Sequence, residues 1–86
     1  MKEVTMFMIP TCPHCKKAMG MMEELCAENP KYREVPIKKV DETAEADYAA
    51  QFDYYYVPTY YVGDEKVHEG VPTKEAIERV YRDACE

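Results

Sequence analysis

Eighty-six residues give one small domain, spanning 1–86, with a single core that burial stabilises only moderately. A hydrophobic fraction of 47% predicts a packed fold rather than disorder. A net charge of −6, from 17 acidic and 11 basic residues, argues against a generic nucleic-acid binder, and no run of apolar residues is long enough to span a membrane.

The chain opens on Met1-Lys2-Glu3-Val4 and enters structure at once, with too short an apolar stretch for a secretory signal. The expected compartment is therefore the cytoplasm, where thiols are kept reduced. Four cysteines in that setting read as chemistry or metal binding rather than as a disulfide framework. Cys12 and Cys15 form a close pair, whereas Cys26 and Cys85 stand alone.

Val4 to Ile9 is a nearly continuous apolar run and predicts a strand buried on both faces. Pro10 stops it, and Thr11 to Pro13 lead into a helix, with Pro13 suited to a first turn where its missing N–H costs nothing. From His14 to about Glu28, Cys15, Ala18, Met19, Met22, Leu25 and Cys26 recur three and four apart on one helical face, and Asn29-Pro30 ends the helix. Tyr32 to Val40 predicts a second strand, demoted to an edge by Pro36. Asp41 to Asp53 predicts a second helix, capped by Asp41 or Thr43, with Ala44, Tyr48, Ala49 and Phe52 inward. Thr59 to Val62 and Glu65 to Glu69 flank Gly63-Asp64 as a hairpin, and Thr73 caps a last helix with Ala76, Ile77, Val80, Tyr81 and Ala84 buried. The order is β-α-β-α-β-β-α, an α/β fold whose first two strands are parallel neighbours.

The chemistry concentrates at Cys12-Pro13-His14-Cys15. The thiolate is the nucleophile in disulfide exchange, and a helix N-terminus, with its free N–H donors and partial positive charge, favours the thiolate. Cys12 sits just ahead of the helix, and Cys15 follows one turn later, within reach to close a disulfide. Cys12 is thus expected to attack a substrate disulfide and Cys15 to resolve the mixed disulfide. His14, when protonated, adds a second cation beside Cys12 and makes the couple more oxidising. The competing reading of the pair is half a zinc site, but Cys26 lies about three turns beyond Cys15, too far to share a metal with Cys12. Cys26 reads as a small buried hydrophobe and Cys85 as a surface thiol. Tyr54-Tyr55-Tyr56 carry two readings: a substrate platform beside Pro58, or a wedge at the helix–strand corner.

A Cys-x-x-Cys pair between strand and helix, with Val57-Pro58-Thr59 ahead of a hairpin, resembles the thioredoxin superfamily. Length and element order are similar to small glutaredoxins and glutaredoxin-like thioredoxins, and the resemblance spans essentially the whole chain. It implies a thioredoxin-like four-stranded mixed sheet with helices on both faces. It also implies a thiol–disulfide oxidoreductase whose redox group is the Cys12–Cys15 disulfide, with no cofactor and no metal. The Val57–Pro58 peptide is expected to be cis, with Pro58 against the two cysteines and the Val57 backbone free to pair with an extended substrate. Pro13, Tyr56 and Thr59 complete the expected substrate contacts, with His14 and Pro58 beside the cysteines in the catalytic set. Protein disulfides are the implied substrates of a monomer, recycled by a thioredoxin-reductase-type flavoprotein in preference to glutathione. The preference rests on Glu69-Gly70-Val71-Pro72-Thr73-Lys74, which lacks the second glycine and the acidic residue of a glutaredoxin and looks like the Gly-x-x-Ser/Thr-Lys of thioredoxins. The chain departs from thioredoxins too: Thr11 stands where they carry Trp, and Val4 to Ile9 holds no buried acid. Two alternatives accompany this reading: a glutathione-dependent glutaredoxin, and a metal or iron–sulfur binding module using Cys12.

Replacing His14 with Tyr is expected to raise the Cys12 thiol pKa and lower the reduction potential. Thiolate absorbance against pH and equilibration with a glutathione redox buffer measure the two; unmoved values would make His14 a bystander.

Overall fold

The computed structural model describes residues 1–86. Its elements run β1 (Val4–Met8), α1 (Pro13–Glu28), a 3₁₀ turn (Pro30–Glu34), β2 (Ile37–Asp41), α2 (Ala46–Ala49), β3 (Thr59–Val62), β4 (Glu65–Glu69) and α3 (Lys74–Cys85). They form one four-stranded sheet in the order β2-β1-β3-β4. β1 and β2 are parallel, with Val4 opposite Ile37 and Met8 opposite Asp41. β3 runs antiparallel to β1, pairing Phe7 with Thr59, and β4 runs antiparallel to β3. This is the expected mixed sheet with its apolar first strand at the centre.

Every residue of β1 is buried, and strand alternation divides the strand between two cores. Val4, Met6 and Met8 join Cys15, Ala18, Met22 and Leu25 of α1, Tyr60 and Val62 of β3, and Ile77, Val80, Tyr81 and Ala84 of α3. Phe7 faces the other way, into a smaller cluster with Val40, Ala49 and Tyr61. Thr73 caps α3 as expected: its side chain accepts from the Ala76 N–H at 3.1 Å.

Two elements are shorter than their sequence patterns predict. The second strand begins at Ile37 rather than Tyr32. The Asn29 side chain accepts from the Lys31 N–H, Pro30 opens a 3₁₀ turn, and Tyr32 and Val35, three apart, are buried on one side of it. Pro36 therefore precedes the ladder, and its carbonyl accepts from the Val4 N–H at 2.9 Å. β2 is an edge strand, though its place in the sheet rather than Pro36 makes it one.

The second helix is a single turn, not Asp41 to Asp53. Asp41 closes β2 instead of capping a helix, and its carboxylate accepts from both the N–H and the hydroxyl of Thr43. Such local bonds compete with helix. Large aromatic side chains cover the sheet where a longer helix was expected. The Phe7 ring lies 4.7 Å from Phe52, stacks on Tyr54 at 4.8 Å and meets Tyr61 edge-on at 5.9 Å.

Phe7→Ala removes the centre of that cluster from a fully buried position. The expected cost is about 3–5 kcal/mol of unfolding free energy, measured as a lower urea midpoint at unchanged slope.

Candidate active site

The site forms where the central strand hands over to α1. Cys12 is the N-cap residue of α1, in extended conformation, with Pro13 in the first turn. A turn closed by the Cys12 N–H donating to the Ile9 carbonyl at 3.0 Å sets the angle between strand and helix. Cys12 is half-buried and Cys15, one turn on, is fully buried. The Ile9 N–H, just past the last paired residue of β1, points at Cys15 Sγ at 3.5 Å. Both thiols are free.

The two sulfurs differ in acidity. The Cys12 thiol is held below its ordinary value, first by the backbone N–H of Cys15, against a smaller cost of desolvation, with further lowering from the N–H of His14 and the Cys15 side chain. These donors favour the thiolate without forming a regular side-chain cap. Burial pushes the Cys15 thiol up to about 11, against the opposing Ile9 N–H. Glu42 raises both thiols by charge repulsion. It follows directly on β2, with its N–H bonded to the Met8 carbonyl at 3.0 Å, and its carboxylate accepts from the Tyr54 hydroxyl at 2.8 Å. The central strand lacks an acid, and the carboxylate that acts on the cysteines belongs to the residue just after the neighbouring strand.

The second half of the site precedes β3. The Val57–Pro58 peptide is cis. Pairing of Thr59 with Phe7 sets the buried Pro58 level with the end of β1, near the Ile9 N–H that meets Cys15. The Pro58 carbonyl accepts from the Gly70 N–H at 3.0 Å, and Gly70 adopts φ of 96°, which a side chain disfavours. His14, Tyr56, Val57, Gly70 and Val71 line one cleft of about 290 Å³.

Among the expected substrate contacts, Tyr56 and Val57 reach this cleft and Pro13 is exposed on the first turn of α1. Thr59 does not reach the surface. It is fully buried and its hydroxyl donates to the Tyr56 carbonyl, so it shapes the turn from inside. The tyrosine run divides between its two readings: Tyr54 wedges against Phe7, while Tyr55 and Tyr56 are 88% and 70% exposed. Cys26 is buried, with its S–H directed at the Tyr81 hydroxyl at 3.6 Å. Cys85, expected at the surface, is half-buried against the core. No group of three or more Cys, His, Asp or Glu side chains is arranged to hold a metal.

Glu42, Glu69, Gly70 and Val71 were not among the candidate residues. Only the glycine, after an alternating strand, carries a readable signal: a turn that needs positive φ.

Residues 2–82 match the family model of the thioredoxin domain. The chain belongs to the thioredoxin family. It is 33% identical over 75 residues to a thioredoxin of Methanocaldococcus jannaschii, covering 87% of this chain and 86% of that protein. Its fold superposes on the oxidised thioredoxin of Plasmodium falciparum with a TM-score of 0.70 at 18% identity, over 96% of this chain and 80% of that one. For the reduced desulfothioredoxin of Desulfovibrio vulgaris Hildenborough the TM-score is 0.67 at 24% identity, over 95% and 80% of the two chains. Members of the thioredoxin family typically need no added cofactor.

The split acidity has a direct readout. Iodoacetamide is expected to alkylate Cys12 with a midpoint below the ordinary thiol range, while Cys15 stays unmodified until pH approaches about 11. Cys15→Ala should shift the Cys12 midpoint upward by removing a side-chain partner, yet leave it depressed, because the backbone donors stay. Mass spectrometry of the alkylated protein across pH checks both.

Proposed function

We propose that this chain is a dithiol–disulfide oxidoreductase that reduces protein disulfides, with Cys12 as nucleophile and Cys15 as resolving thiol. The observation that carries the reading is the pairing, on one helical turn, of a half-exposed thiol of lowered pKa with a buried one raised to about 11. The Cys12 thiolate attacks one sulfur of the substrate disulfide; that S–S bond breaks, and the departing thiolate takes a proton. Cys15 then gives up its proton and attacks Cys12 Sγ in the mixed disulfide. The second substrate thiolate leaves and is protonated, and a Cys12–Cys15 disulfide remains. Two electrons and two protons pass to the substrate. The high pKa of Cys15 keeps it protonated until a bound substrate disulfide has reacted.

Substrate binding is read from Val57. Its N–H and carbonyl form no hydrogen bond within the chain, and it stands beside the cleft that His14 lines. An extended peptide can add there as a short strand, its cysteine brought to Cys12 and a neighbouring apolar side chain set against Tyr56 and Val71. His14 is exposed beside Cys12, and its role is that of a cation which, when protonated, favours the thiolate.

Recycling is assigned to a thioredoxin-reductase-type flavoprotein, with the chain acting as a monomer in a reducing cytoplasm. Two features support that choice over glutathione. Pro72 offers no N–H at the approach to α3, and the Thr73 hydroxyl is already used to cap that helix. An anionic tripeptide finds few free donors there.

The reduced protein is expected to accelerate reduction of insulin disulfides. Cys12→Ser should abolish the activity, and Cys15→Ser should accumulate a mixed disulfide visible by mass. Coupling to NADPH through thioredoxin reductase should outpace glutathione with its reductase. Loss of activity in neither cysteine variant would overturn the proposal, and faster turnover with glutathione would reassign the reductant.

A further inference from the structure

The segment entering the cis turn is tied down at several backbone polar groups, whereas the N–H and carbonyl of Val57 are left free. The Asp53 carbonyl accepts from Lys66 Nζ at 3.1 Å and from the Tyr61 hydroxyl at 2.9 Å. Tyr55 N–H and Tyr56 N–H both donate to one carboxylate oxygen of Glu69, at 2.6 and 3.0 Å. The other oxygen of Glu69 takes Lys66 Nζ at 2.8 Å. The Tyr56 carbonyl accepts from Thr59, and the Pro58 carbonyl from Gly70. A side chain from an edge strand thus captures two consecutive backbone donors in a loop 13 and 14 residues earlier. The Glu69 side chain is only 20% exposed, so water competes poorly for it.

This arrangement has a plain consequence for the loop. Tyr55 and Tyr56 show solvent most of their rings and have little packing to hold them. A loop of that kind normally samples many conformations. Charge-assisted bonds to backbone N–H groups fix it independently of side-chain packing, and Lys66 holds Glu69 in turn while also gripping Asp53. Val57 follows directly, and its free N–H and carbonyl are the groups that an incoming strand must meet. Order in Tyr55 and Tyr56 before binding spares the substrate the entropy of arranging them.

We propose that Glu69, held by Lys66, is a positioning residue for disulfide substrates: it clamps the Tyr55–Tyr56 backbone so that Val57 presents a preformed edge beside Cys12. The substrate role rests on the oxidoreductase reading above; the clamp itself does not. Glu69 touches neither thiol nor substrate, so its effect belongs in KM for extended protein substrates rather than in thiol chemistry.

Three variants and three measurements test this. In Glu69→Ala, hydrogen exchange at the Tyr55 and Tyr56 amides should quicken by tenfold or more, and KM for insulin disulfides should rise several-fold with kcat little changed. The pH profile of Cys12 alkylation should stay where it is. Glu69→Gln keeps an oxygen that accepts both amides but loses the charge and the ion pair, and Lys66→Met loses the ion pair alone; both should fall between wild type and Glu69→Ala. Near-UV circular dichroism monitors folding of each. Unchanged amide exchange in Glu69→Ala overturns the clamp and leaves the oxidoreductase reading standing. Faster exchange with unchanged KM overturns the substrate role. A wild-type protein inert toward insulin overturns the oxidoreductase reading, and the substrate role with it, while the exchange result still judges the clamp.

Discussion

The contact between the end of β1 and Cys15 fixes the geometry on which the rest of the site depends. A fully buried strand cannot shift along its axis without tearing its ladders to β2 and β3. The Ile9 N–H at its end is therefore a fixed point, and it meets the buried sulfur of Cys15. With that sulfur in place, α1 must begin where it does, and Cys12 falls at the N-cap, where unpaired backbone donors face it. The difference in acidity between the two thiols follows. One sulfur is placed where water has been removed, and the other where the helix supplies positive potential.

The opposite side of the site is built by a different means. No long helix presses on the cis turn, and little packing reaches Tyr55 and Tyr56. Carbonyls and amides are bound instead by side chains from β3 and β4: Tyr61, Lys66, Glu69, and the Thr59 hydroxyl from below. The carboxylate of Glu69 is held down to about 2, first by Lys66 and then by the Tyr55 and Tyr56 amides. A carboxylate of depressed pKa contributes stability that is full above its unfolded value and fades as pH falls through the folded one, so this tether persists at any ordinary pH. The site joins an apolar half, set by strand burial, to a polar half, set by ions and backbone.

Local signals carried much of this from the sequence, and non-local ones did not. The apolar run of β1, the Pro13 start of α1, the hairpin at Gly63-Asp64 and the Thr73 cap each depend on residues close in sequence, and each is present. The cis Val57–Pro58 peptide followed from family resemblance and is also present. The second strand and second helix were overextended because their periodicities were ambiguous. Tyr32 and Val35, three apart, fit a 3₁₀ turn as well as a strand; of the expected inward stripe, Tyr48, Ala49 and Phe52 pack about Phe7 without a longer helix, while Ala44 is exposed. The tie from Glu69 to Tyr55 and Tyr56 left no trace, because the donors are backbone amides that any residue type supplies. Glu42 was hidden for a related reason: its nearness to the cysteines comes from the pairing of β2 with β1, which no stretch of sequence states.

The single turn of α2 bears on how this architecture tolerates changes in length. Between the last paired residue of β2 and the start of β3, the chain is held mainly by Phe52, Tyr54, the Asp41–Thr43 turn and the ties at Asp53. None of these fixes the number of residues between them. Inserting a further helical turn after Ala49 would lengthen a surface excursion, at an entropic cost of well under about 1 kcal/mol. Phe7 would keep its aromatic cover and the thiols would not move. Such spare length would be taken up on the face of the sheet away from α1 and α3, where Ala49 and Phe7 pack.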